Sequence, residues 1–108
     1  KIFLLSNTNE IHIDSFEKRL QSNNLLKQYY NCFEELYYSF RIGLRKPDLN
    51  CFNFVLKTNK LLSKETLFID DSIQHIEGAR EAGIQAVLLE KNTSIIQIVP
   101  DIIQSIHR

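Results

Sequence analysis

Short apolar runs that end in polar loops alternate along this chain with stretches in which apolar residues return every three or four positions. Ile2-Phe3-Leu4-Leu5 is one such run, ending in Ser6-Asn7-Thr8-Asn9, and its unbroken hydrophobicity predicts a parallel strand buried on both faces. From about Glu10 to Ser22, Ile11, Ile13, Phe16 and Leu20 recur at helical spacing; Asn7 or Asn9 can cap the start, and Asn23-Asn24 ends the helix. The aromatic-rich stretch from Leu25 to Leu36 is mixed and has room for a short helix. Tyr37 to Ile42 carries β-type residues and stops at Gly43, which predicts a second strand. Pro47 biases Lys46 away from helical geometry and itself suits the first turn of a helix over about Leu49 to Thr58. Thr66-Leu67-Phe68-Ile69 predicts another strand, ending in Asp70-Asp71-Ser72. Behind it, Ile73, Ile76, Ala79 and Ala82 form one stripe of a helix that Gly83 is placed to end. Gln85 to Leu89 reads as the last strand, and Ile95 to Ile106 as a terminal helix that Pro100 kinks or splits.

Strands alternating with helices predict an α/β fold with a parallel sheet and flanking helices, and in such sheets ligands gather at the carboxyl ends of the strands. The 108 residues amount to about one modest domain or part of one. With 44% hydrophobic and 24% charged residues the chain can bury a core. Thirteen Lys+Arg balance thirteen Asp+Glu, and no basic run or basic-aromatic stripe stands out, so neither nucleic acid nor another polyanion is an expected partner. No apolar run approaches the roughly 18 residues of a membrane span, and no signal peptide is recognisable, so no membrane association is expected. Cys32 and Cys51 lack any C-x-x-C spacing or neighbouring His cluster, which predicts buried free thiols in a reducing compartment, the cytoplasm. Opening on Lys1 with no Met anywhere, the sequence is expected to continue upstream in the gene product.

The polar residues at the expected strand ends are a hydroxyl, an ammonium and paired carboxylates, a set suited to phosphate with a divalent cation. Ser6 and its neighbouring backbone N–H groups can donate to phosphate oxygens, though a serine there is as readily a helix cap. Lys46 is a point charge able to neutralise phosphate and carboxylate together; in isolation it would be a solvated surface lysine. Asp70 and Asp71 repel one another in a way a hard cation relieves, and magnesium takes one or two carboxylates while keeping several waters. The other reading of that pair is an acidic cap on the following helix.

Taken in order, these segments resemble the haloacid dehalogenase (HAD) superfamily over essentially the whole chain. Ile2-Phe3-Leu4-Leu5-Ser6-Asn7-Thr8 resembles its motif II, Arg45-Lys46-Pro47-Asp48 its motif III, and Phe68-Ile69-Asp70-Asp71-Ser72 its motif IV, continued by Ile76-Glu77-Gly78-Ala79-Arg80-Glu81-Ala82-Gly83-Ile84. The resemblance implies residues 1–108 to be the C-terminal part of a Rossmann-like core whose central motif I strand lies elsewhere. It is most similar to small-molecule phosphatases with a helical cap between motifs I and II. By that resemblance Ser6 and Asn7 bind the phosphoryl group, Lys46 stabilises nucleophile and phosphate charge, Asp71 is the more direct Mg2+ ligand, and Asp70 supports the metal through water. Many relatives have Asn where this chain has His75, which either replaces that anchor of the motif IV loop or faces solvent.

Motif I, Asp-x-Asp-x-Thr/Val, occurs nowhere in the chain, so the nucleophile and its acid/base partner are absent and the chain by itself is expected to be inactive. The whole protein implied is a magnesium-dependent phosphatase attacking a small phosphorylated metabolite through an upstream aspartate. A non-catalytic binding module that kept the fold, and a dehalogenase attacking carbon, are the alternatives; the second has no need of a cation at Asp70-Asp71. The missing strand would leave sheet edges to be closed by direct pairing of the strands ending near Ser6 and Asp70, by a second copy, or by the upstream segment.

Overall fold

In the computed structural model, residues 1–90 are described, and they fall into two compact units, one ending at Lys46 and the other beginning at Pro47. The terminal helix expected over Ile95 to Ile106, with Pro100, lies outside the described residues. The observed fold is the expected α/β arrangement of parallel strands joined by helices.

In the first unit β1 (Phe3–Ser6) and β2 (Glu35–Tyr38) run parallel, with α1 (Glu10–Ser22) and α2 (Leu26–Asn31) in the connection between them. The register pairs Phe3 with Glu35 and Ser6 with Tyr38, so both strands end at the same level. Asn9 caps α1 by accepting the His12 N–H at 2.9 Å. Asn7, the other candidate, is engaged elsewhere. Ile13, Tyr37 and Tyr38 are buried, and Phe16, Tyr29 and Phe33 meet edge to face at 5.2 and 5.6 Å. Such pairings favour the positive ring edge against the negative ring face.

The second strand differs from expectation. It begins two residues earlier, at Glu35, and stops at Tyr38, where the chain turns into a short helix, α3 (Ser39–Ile42). Two tertiary effects override the β propensity of Phe40, Arg41 and Ile42. The Ser39 hydroxyl is held by the backbone of Thr8, so the chain leaves the ladder there. Gly43, at φ 70°, closes the helical turn through its N–H to the Ser39 carbonyl at 2.9 Å. Phe40 then stacks on Tyr38 instead of pointing across a sheet, and the Arg41 guanidinium lies 5.1 and 5.2 Å from the two rings.

The second unit holds α4 (Leu49–Thr58), a single 3₁₀ turn (Ser63–Glu65), β3 (Leu67–Asp70), α5 (Ile73–Glu81) and β4 (Gln85–Leu88). β3 and β4 are parallel, with Leu67 opposite Gln85 and Asp70 opposite Leu88. Cys51, Phe52 and Leu56 of α4 and Ile76 and Ala79 of α5 form the core with Ile84, and Phe52 meets Phe68 of β3 edge to face at 5.2 Å. Gly78 permits a close approach: a methyl group there would collide with the Pro47 carbonyl and lie 3.1 Å from the Phe52 ring. Pro47 itself precedes the N-cap, Asp48, and does not occupy the first turn of α4.

Other expectations need correcting. β1 and β3 are half-buried rather than buried on both faces, because each pairs with one strand of its own unit among the described residues. Cys51 is buried, but Cys32 follows α2 and is exposed; both thiols are free. Among the described residues no helix is long and apolar enough to cross a membrane.

Candidate functional site

Each half-buried strand delivers polar residues at its carboxyl end, where backbone groups leave the ladder and become available to a ligand. Ser6 is the last residue of β1. Its hydroxyl makes no hydrogen bond among the described residues, and with Asn9 as the cap of α1 the helix-cap reading of Ser6 is removed.

Asn7, the next residue, holds the lysine. Its Nδ2 donates to the carbonyl of Lys46 at 2.9 Å, and its Oδ1 accepts the Lys46 N–H at 3.0 Å, across 39 positions of sequence. Lys46 is 7% exposed, so it is not a solvated surface lysine. Burying a charged ammonium is costly unless it is paired. One residue further, the Thr8 N–H donates to the Ser39 hydroxyl at 2.9 Å, and that hydroxyl donates back to the Thr8 carbonyl at 3.0 Å. The loop after β1 is thus tied at consecutive residues, to Lys46 through Asn7 and to the end of β2 through Ser39. Sequence reading found Ser6, Asn7 and Lys46 but not Ser39, whose partner lies 31 positions away with no local signal.

In the second unit the two carboxylates at the end of β3 have different environments. Asp70, with its side chain 9% exposed, accepts the Ser72 N–H on Oδ1 at 2.8 Å and has both oxygens 3.3 Å from His75 Nδ1. His75 therefore anchors this loop and does not simply face solvent. Asp71 is exposed and its carboxylate makes no interaction among the described residues. Neither aspartate is in the first turn of α5, whose N-cap, Ser72, makes no side-chain cap, so the acidic pair does not serve as the helix cap. One free and one anchored carboxylate fit a magnesium ion that keeps much of its water. They do not form a protein cage: among the described residues no three His, Cys, Asp or Glu side chains gather around a possible ion.

Comparison with known proteins finds similarity over most of the chain. The family model described as haloacid dehalogenase-like hydrolase matches residues 14–89. The D-ribitol-5-phosphate phosphatase of Bacteroides thetaiotaomicron is 31% identical over 84 residues, 78% of this chain and 40% of that protein. Among solved structures, a HAD-like family hydrolase from Porphyromonas gingivalis is similar over the whole chain with a TM-score of 0.78 and 26% identity, covering 51% of that protein. A HAD family enzyme from Bacteroides thetaiotaomicron in complex with magnesium and inorganic phosphate has a TM-score of 0.70 and 29% identity over 89% of this chain and 48% of its own. The chain thus spans about half the length of these structures and less than half that of the phosphatase.

Proposed function

The chain belongs to the haloacid dehalogenase-like hydrolases, and from that premise we propose that the whole protein is a magnesium-dependent phosphatase of small phosphorylated metabolites, with residues 1–108 as the C-terminal part of its core. The observation that carries the reading is the buried Lys46 tied by Asn7 to the end of the strand that presents Ser6. The likeness to a sugar-alcohol phosphate phosphatase, and to an enzyme crystallised with magnesium and phosphate, supports it.

In this reading the Ser6 hydroxyl donates to an oxygen of the transferring phosphoryl group. The Thr8 N–H is taken by Ser39, so the backbone donor beside Ser6 is the N–H of Asn7. Lys46 neutralises charge that grows on the phosphoryl oxygens toward the transition state, where a fixed ammonium out of water is most effective. Asp71 would be the direct holder of the metal, and Asp70, held by Ser72 and His75, would support it through water. Magnesium, when bound, supplies charge neutralisation on the phosphate. The attacking aspartate lies outside these 108 residues.

The test is phosphate release by the whole protein from a panel of phosphorylated sugars and polyols with magnesium. Lys46→Ala should lower turnover by about 10²–10³, the scale for losing one preorganised charge-stabilising donor, with circular dichroism unchanged. Wild-type turnover in that variant overturns the role of Lys46. Release from no substrate, with ligand binding indifferent to Asp71→Ala, would favour a non-catalytic module.

A further inference from the structure

We propose that the Asn7 side chain is not a phosphate ligand but the positioning residue for Lys46. The inference rests on the phosphatase reading and assigns Asn7 a part in it. Both polar atoms of its carboxamide are engaged with one residue, Nδ2 to the Lys46 carbonyl at 2.9 Å and Oδ1 to the Lys46 N–H at 3.0 Å. The N–H and C=O of a single residue face the same side only where the backbone is extended, as along a strand edge. Pro47 favours that condition, because its ring biases the residue before it away from helical geometry. A planar primary amide, with donor and acceptor side by side, then fits both groups of Lys46 at once.

The anchor is itself fixed. Ser39 closes the same kind of reciprocal pair on Thr8, at 2.9 and 3.0 Å, so the segment carrying Asn7 cannot drift with its loop. Ser6, Asn7 and Thr8 are consecutive, which makes the position of the Lys46 backbone relative to the Ser6 hydroxyl a matter of two short, doubly hydrogen-bonded links. Aspartate at position 7 would keep the acceptor and lose the donor; alanine would lose both.

The experiment is a double-mutant cycle on the whole protein, combining Asn7→Ala with Lys46→Ala, with hydrogen exchange at the Lys46 amide followed by NMR. Asn7→Ala should lower kcat by about 10²-fold, the scale for an ångström-level misplacement of a catalytic group, while KM changes little. In the Lys46→Ala background it should add nothing further. The Lys46 amide should be protected in the wild type and in Asn7→Asp, which keeps the acceptor, and exchange faster in Asn7→Ala. Losses that multiply across the cycle, or a rise confined to KM, would show Asn7 binding substrate itself and overturn the proposal. Equal exchange in wild type and Asn7→Ala would overturn the clamp. Failure of the phosphatase reading is separable: the wild type would then release phosphate from no substrate, whatever the exchange at Lys46.

Discussion

A polar side chain takes its meaning from what surrounds it, and Glu17 and Tyr30 give a measurable case away from the candidate site. The Tyr30 hydroxyl donates to the Glu17 carboxylate, linking α2 to α1. That hydrogen bond, with smaller help from desolvation, pushes the phenol up to about 12. An unfolded tyrosine ionises near 10. Between the two values only the unfolded chain loses its proton, so the contribution to stability is complete below about pH 10 and is lost as the pH rises through about 12. A titration of ring-labelled tyrosine by NMR should find Tyr30 ionising well above a free phenol, and Glu17→Gln should bring it back toward 10. Ionisation of Tyr30 at the ordinary pH in the wild type would contradict the contact. The same dependence on surroundings separates Asp70 from Asp71, adjacent and chemically identical, one anchored by His75 and the other exposed and unengaged. No spacing rule could have told them apart.

At the scale of elements, three helices end by one device. Leu25 N–H reaches the Leu20 carbonyl at 2.8 Å, Leu61 N–H that of Leu56 at 2.8 Å, and Ile84 N–H that of Ala79 at 3.0 Å, each across a residue with positive φ. Those residues are Asn24 (58°), Lys60 (54°) and Gly83 (83°). Asparagine and glycine tolerate the left-handed region, and both were legible as stops; lysine pays a Cβ clash there and gives no signal in the sequence. Lys60→Gly should therefore stabilise the fold by about 0.5–1 kcal/mol, the clash relieved less the extra entropy of glycine, and raise Tm by about 2–6 °C. A lower Tm by calorimetry would mean that the Lys60 side chain contributes more than its backbone strain costs. The break between β2 and α3 is the converse case: Tyr37 to Ile42 has the composition of one strand, and the Ser39–Thr8 contact together with the turn at Gly43 divides it.

For the molecule as a whole, the residues proposed to act are ones for holding phosphate and metal, and none is assigned to attack. Asp70 and Asp71 are proposed as metal ligands, and neither is expected to face the phosphorus in line. The 108-residue chain by itself should show no turnover of p-nitrophenyl phosphate with magnesium. Robust turnover abolished by Lys46→Ala would reveal a nucleophile within these residues and displace the reading in which an aspartate elsewhere attacks. Each of β1 and β3 has one ladder partner among the described residues, β2 and β4 respectively.

Periodicity and punctuation in the sequence were enough to place α1 at Glu10–Ser22 and α4 at Leu49–Thr58, to alternate strands with helices, and to put Ser6 and Asp70-Asp71 at strand ends. Those features depend on interactions within a few residues, hydrophobic spacing and caps, and a local code records them. The tertiary structure alone decided that Lys46 is buried, that Asn7 grips its backbone rather than capping α1, that Ser39 ends β2, and that His75 anchors Asp70. The Asn7 and Ser39 contacts span 39 and 31 positions, and a hydrogen bond between such distant residues leaves no periodic trace: it exists because parallel pairing of β1 with β2 brings their carboxyl ends to one level.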